Sequence, residues 1–193
     1  MIIVSECYNN ISVNKTIPFI TFVIAISFSL LLPCQSYAQP YGKGIYGANV
    51  PYGDQTSLSI ATNGDINVQI TPTNSGILST GTSIVTITST DVMGYKLYIR
   101  ALSDTNMNNL GALLPASANI TPAALINNTW GYNTDATTNF TGITLSDILI
   151  RSITTPASSG DITNVTYGIK LDMAKPAGSY VASIVYTAVP QTD

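Results

Sequence analysis

The chain has 193 residues, with seven Lys and Arg against ten Asp and Glu and no His. Its charges are few and scattered, so it lacks the clustered basic footprint of a nucleic-acid binder. The only two cysteines, Cys7 and Cys34, and the only glutamate, Glu6, lie close to the amino terminus.

Lys15 precedes an apolar run over 17–32, which is followed by Ser36-Tyr37-Ala38. A basic start, an apolar centre and a small-x-small exit have the order of a secretory leader, so residues 1–38 are expected to be a signal peptide cleaved after Ala38. A membrane-spanning helix needs about 20 apolar residues, whereas this run is shorter and interrupted by Pro18, Thr21, Ser27 and Ser29. Pro33 before Cys34 is too large for a lipidation signal. The expected product is therefore secreted, extracellular or held at a cell surface, with no membrane attachment after cleavage. Removing Lys15 and Glu6 leaves six Lys and Arg against nine Asp, in about 155 residues. That length suits one domain. It would contain no Cys, so its stability must come from an apolar core and sheet hydrogen bonds rather than disulfides.

Residues 39–54 repeat Tyr-Gly at Tyr41-Gly42, Tyr46-Gly47 and Tyr52-Gly53, with Pro40 and Pro51 between them. Repeated glycine raises the entropic cost of ordering, which predicts a flexible arm. Its apolar alternation is poor for a segment that would be donated as a strand to a neighbour. The domain proper is expected over 55–193. Leu58 and Ile60 alternate with polar residues, Asn63-Gly64 follows, and Ile66, Val68 and Ile70 resume the alternation, a pattern that predicts a hairpin. Residues 71–81 carry turn chemistry. Ile84-Val85-Thr86-Ile87-Thr88 and Tyr95-Lys96-Leu97-Tyr98-Ile99 predict two further strands.

Residues 101–141 are rich in Asn, Ala and Thr, and Pro122 suits the first turn of a short helix over 122–126. Strand patterns return over 143–153, 165–171 and 180–189. Val165, Tyr167, Ile169 and Leu171 share one face, as do Tyr180, Ala182, Ile184, Tyr186 and Ala188. Val181, Val185 and Val189 make the second face of the last strand apolar as well, which predicts a strand covered on both sides. Many short strands and no long amphipathic helix together predict an all-β fold, an antiparallel immunoglobulin-like β-sandwich.

The predicted mature chain offers only Asp, Ser, Thr, Lys and Tyr for chemistry. Most aspartates adjoin Gly, Asn, Ser or Thr, where turns use them for local backbone bonding. Lys96 and Lys170 alternate with apolar neighbours and should face solvent. No catalytic set, metal site or cofactor is predicted, and no spacing matches an EF-hand loop; Asp135 with Asn133 and Asn139 is the best local cluster. Trp130 and Tyr132, within Asn127-Asn128-Thr129-Trp130-Gly131-Tyr132-Asn133, combine flat apolar faces with polar edges. They are candidate binding residues for a glycan or protein partner, although a lone Trp in a sandwich also serves as a core plug.

Two segments resemble the WxL-type domains of bacterial cell surfaces. Gly94-Tyr95-Lys96-Leu97 is similar to the family's Gly-Trp-x-Leu element, with Tyr95 in place of Trp. Tyr180-Val181-Ala182-Ser183-Ile184-Val185-Tyr186-Thr187-Ala188-Val189-Pro190 is similar to its C-terminal Tyr-x-x-x-Leu-Thr-Trp-x-Leu element, with Tyr186 in place of Trp. The resemblance implies export and non-covalent binding to cell-wall peptidoglycan, and adds Tyr95 and Tyr186 to the candidate ligand-binding residues. Pro176-Ala177-Gly178-Ser179-Tyr180 is also similar to fimbrial and spore-coat-type subunits, which implies a self-assembling structural protein, a homo-oligomer. A carbohydrate-binding, lectin-like domain is a third expectation.

Overall fold

The computed structural model describes residues 5–14, 57–90 and 92–191. Among them are eleven strands and no helix: β1 (Ser5–Asn14), β2 (Ser57–Thr62), β3 (Ile66–Gln69), β4 (Ile77–Thr90), β5 (Gly94–Ala101), β6 (Met107–Asn109), β7 (Ala112–Leu114), β8 (Thr129–Asn133), β9 (Ile148–Ile153), β10 (Asp161–Leu171) and β11 (Tyr180–Gln191). One sheet runs β3-β1-β11-β5-β9, with β6 and β7 attached beside β11; the other runs β2-β4-β10-β8. Every pairing between these strands is antiparallel except β1 with β3.

The two predicted faces meet in the core between the sheets. Val165, Tyr167, Ile169 and Leu171 of β10 and Tyr180, Ala182, Ile184, Tyr186 and Ala188 of β11 are all buried, together with Val85, Ile87, Leu97 and Ile99. Period-two alternation places these side chains on one face, and removing that apolar surface from water holds the sheets together. Val185 is buried on the other face of β11, whereas Val181 is exposed. The two segments resembling the surface family are neighbours, because β5 and β11 pair with Leu97 opposite Ala188, Lys96 opposite Val189 and Tyr95 opposite Pro190.

Polar contacts tie the layers across this core. Asp161 of β10 receives two hydrogen bonds from Arg151 of β9, Nε to Oδ2 and Nη2 to Oδ1, each 2.7 Å. Tyr95 of β5 donates its hydroxyl to the same carboxylate. Tyr167 and Tyr186 join their hydroxyls at 2.6 Å. Burial, aided by Asp161, pushes Tyr95 up to about 12. Burial likewise pushes Tyr186 up to about 12 and Tyr167 well above its ordinary value. Folded-state values above the unfolded ones contribute stability that is complete below about pH 10 and is lost as pH rises toward 12. Ultraviolet titration should therefore show these three tyrosines ionising late, alongside cooperative alkaline unfolding. A single early transition for every tyrosine would contradict the geometry.

The structure departs from the sequence expectations at four places. The hairpin at Asn63-Gly64 does not form: β2 pairs with β4 and β3 with β1, so the chain changes sheet there. Gly64 still adopts φ 94°, while Asn63 caps the change by accepting the Ile84 N–H at 2.9 Å. Turn chemistry specified a bend but not the partner of each strand. Residues 77–81, read as turn, belong to β4; a Cβ on Gly81 would stand 2.5 Å from Ile66 Cγ2, so glycine permits the close approach of β3. Residues 122–126 form no helix, since Ala123 instead exchanges backbone hydrogen bonds with Phe140. Finally, Ser5–Asn14, within the segment read as leader, forms β1. The short alternation of Ile11 and Val13 with Asn10, Ser12 and Asn14 was masked by the long apolar run beside it. The cleavage motif at 36–38 and the arm over 39–54 lie outside the described residues.

Candidate functional site

Strand β8 is the outer strand of its sheet, yet all five of its residues are buried. The irregular segments around it supply the reason. Trp130 N–H donates to Pro115 O at 3.2 Å, Ser117 N–H to Trp130 O at 2.7 Å, and Tyr132 and Thr141 exchange hydrogen bonds of 2.9 and 2.8 Å. The exposed edge that would otherwise invite another chain is thus closed by residues 115–141. Gly131 permits that closure, because a Cβ there would lie 2.6 Å from Thr141 O.

Trp130 points into the sandwich and is fully buried. Its indole N–H donates to Thr105 O at 3.0 Å, and its ring lies 6.4 Å from that of Tyr167, tilted by 37°. Tyr95 and Tyr186 are also fully buried, in the opposite sheet, with hydroxyls engaged by Asp161 and Tyr167. None of these three rings offers a face to a ligand; they fill the core. The structure does not gather the four candidates into one surface. Tyr132, 5% exposed, alone reaches a surface depression.

That depression lies where β8 runs into the 134–139 loop. It is lined by Tyr132, Asn133, Thr134, Asp135 and Thr141 on a polar side and by Pro122, Leu149 and Ile150 on an apolar one, and encloses about 160 Å³. This is well below the 300–1,000 Å³ typical of drug-sized sites. Its capacity suits one small polar group, such as a single sugar ring or a peptide side chain.

The loop is built on two side chains. Asn133 Nδ2 donates to Thr137 O at 2.8 Å and Asn139 O at 3.0 Å, while its buried Oδ1 has no partner among the described residues. Asp135 Oδ1 accepts from the Thr137 N–H at 3.1 Å and Oγ1 at 2.9 Å, which holds its carboxyl below the ordinary value. Ala136 between them takes φ 56°, the left-handed conformation that closes this turn. Burial raises Tyr132 above its usual value, so its hydroxyl stays protonated near neutrality and can donate. The site therefore presents an ionised acceptor, hydroxyl groups and an apolar wall.

Asp135 is the one carboxylate lining the depression among the described residues, so the paired carboxylates of glycoside hydrolysis are not assembled there. The expected Asp135, Asn133 and Asn139 cluster is a hydrogen-bonded turn, and among the described residues no group of three or more His, Cys, Asp or Glu stands together. Elsewhere Asp161 is engaged by Arg151, and Asp172 accepts from Asn127 and Asn128 at 3.2 and 2.8 Å. Thr134, Thr141, Pro122, Leu149 and Ile150 had no distinguishing signal in the sequence, because they converge only through the folding of residues 115–153. No family model matches this chain, and no curated protein matches it.

Proposed function

We propose that residues 1–38 export the chain and that the remainder is a non-catalytic surface module of immunoglobulin-like build, which holds cell-wall peptidoglycan or another surface glycan non-covalently. The observation that carries this is the depression beside Asp135, where an ionised acceptor and hydroxyls face an apolar wall. Such a combination suits a sugar ring, whose hydroxyls seek polar partners and whose C–H face seeks apolar ones. The apposition of the two segments that resemble WxL-type domains, on β5 and β11, is compatible with this reading.

The test is sedimentation of the exported protein with purified cell walls at moderate salt. Asp135→Ala removes the ionised acceptor and should weaken binding several-fold while leaving the melting temperature within a few degrees of wild type. Wild-type protein that remains wholly in the supernatant would defeat the proposal.

A further inference from the structure

Strand β1 sits between β3 and β11, facing Ala188 to Tyr180 along one edge and Ile66 to Gln69 along the other. Among the described residues it is the only pairing partner of β3. If residues 1–38 are removed as a leader, β1 goes with them. Nor could a strand that precedes an export signal remain paired with a domain that has crossed the membrane. Export would therefore leave an open slot, with β3 unpaired and one edge of β11 unsatisfied over nine residues. Exposed edges of this kind take up strands.

We propose, resting on the leader reading above, that this slot is filled by residues 41–50 of a second copy of the chain. Pro40 and Pro51 bracket ten proline-free residues, enough to cover the nine positions of β1, Ser5 to Val13, that pair with β11. The slot does not require continuous apolar alternation, because the positions of β1 opposite Ala188, Tyr186, Ile184, Ala182 and Tyr180 are Ser5, Cys7, Asn9, Ile11 and Val13. Set in the same direction, the arm places Gly42, Gly44, Tyr46, Ala48 and Val50 at those positions, with its apolar residues at the same end as Ile11 and Val13.

Chain length decides which copy supplies the strand. Val50 would stand opposite Val68, which lies against Gly81 of β4, whereas Ser57 stands opposite Thr90 at the far end of β4. Gly81 to Thr90 is nine residues, about 30 Å of strand. The seven steps from Val50 to Ser57 span at most about 25 Å. An arm inserted in the direction of β1 cannot reach its own β2, so it must belong to another molecule. The contact is head-to-tail, and such contacts propagate as open chains unless a ring closes.

The test expresses the full chain and collects the exported product. Mass spectrometry should give an amino terminus at Gln39, and sedimentation should show assemblies that grow with concentration. Amides of residues 41–50 should be protected from exchange in them. Val50→Asp should raise the concentration needed for assembly at least ten-fold, and a peptide with the sequence of Ser5–Asn14, added to wild type, should cap the slot and shorten the assemblies. A product starting at Gln39 that stays monomeric overturns the proposal and leaves the leader reading standing, whether 41–50 exchange freely or are protected by folding back into their own slot. A product that retains Ser5–Asn14 overturns the leader reading, and this proposal with it.

Discussion

Replacing Trp130 with alanine is expected to cost about 3–5 kcal/mol, the range for deleting a large aromatic side chain from a packed core. Trp130 is fully buried between the sheets, beside Tyr167 and hydrogen-bonded through its indole N–H to Thr105 O. Truncation removes its apolar contacts, leaves a cavity that a two-sheet frame cannot readily close, and takes away the donor to Thr105 O. Domains of this size are typically stable by only 5–15 kcal/mol, so the variant should unfold at far lower urea concentration. Trp130→Phe should recover part of the loss by refilling the cavity without restoring the bond to Thr105. A ring serving as an external platform would behave oppositely, with nearly unchanged stability and lost ligand, and urea titration of both variants separates the cases.

The second large effect is expected at Asp161. Alanine there removes two hydrogen bonds from Arg151 and the acceptor of the buried Tyr95 hydroxyl. Hydrogen bonds to charged groups are worth about 1.5–3 kcal/mol, but both partners of the ion pair are partly exposed, which screens it. A loss of about 2–3 kcal/mol is therefore expected, with Tyr95→Phe costing about 1 kcal/mol. Burial pushes the Asp161 carboxyl up, but the hydrogen bonds from Arg151 and Tyr95 outweigh it and hold the group below its ordinary value of 3.8. A depressed folded-state value means stability that is complete above the unfolded value and is lost as pH falls through the folded one. Wild type should accordingly lose stability below about pH 4 more steeply than Asp161→Asn. Parallel acid-unfolding curves for the two proteins would show that the carboxylate does not join the sheets.

The β pattern was legible wherever one face of a strand meets the core. Val165 to Leu171 and Tyr180 to Ala188 alternate because each residue faces either the other sheet or its surroundings, and that period is written in the chain. Partnership was not legible. Asn63-Gly64 announces a bend, but β4, fourteen residues long, offered β2 a better ladder than β3 did. The aromatic candidates show the same limit. Trp130 and Tyr186 combine apolar bulk with a polar edge, as binding residues do, yet the same properties suit a core whose buried donors can find acceptors at Thr105 and Tyr167. Asp135 was visible as a turn residue, while its neighbours Leu149 and Ile150 came from a strand in the other sheet.

What the sequence by itself determined is the inventory and the period: no His, few charges, strands instead of helices, and the faces of β10 and β11 that are buried. Side-chain type and spacing are local properties, so the chain carries them unaided. Only the tertiary structure decided which strands are neighbours, which tyrosines are buried, and that Ser5–Asn14 occupies a place between β3 and β11. Those outcomes depend on competition among distant segments for the same edges and the same core volume, and no single stretch of sequence contains its rivals.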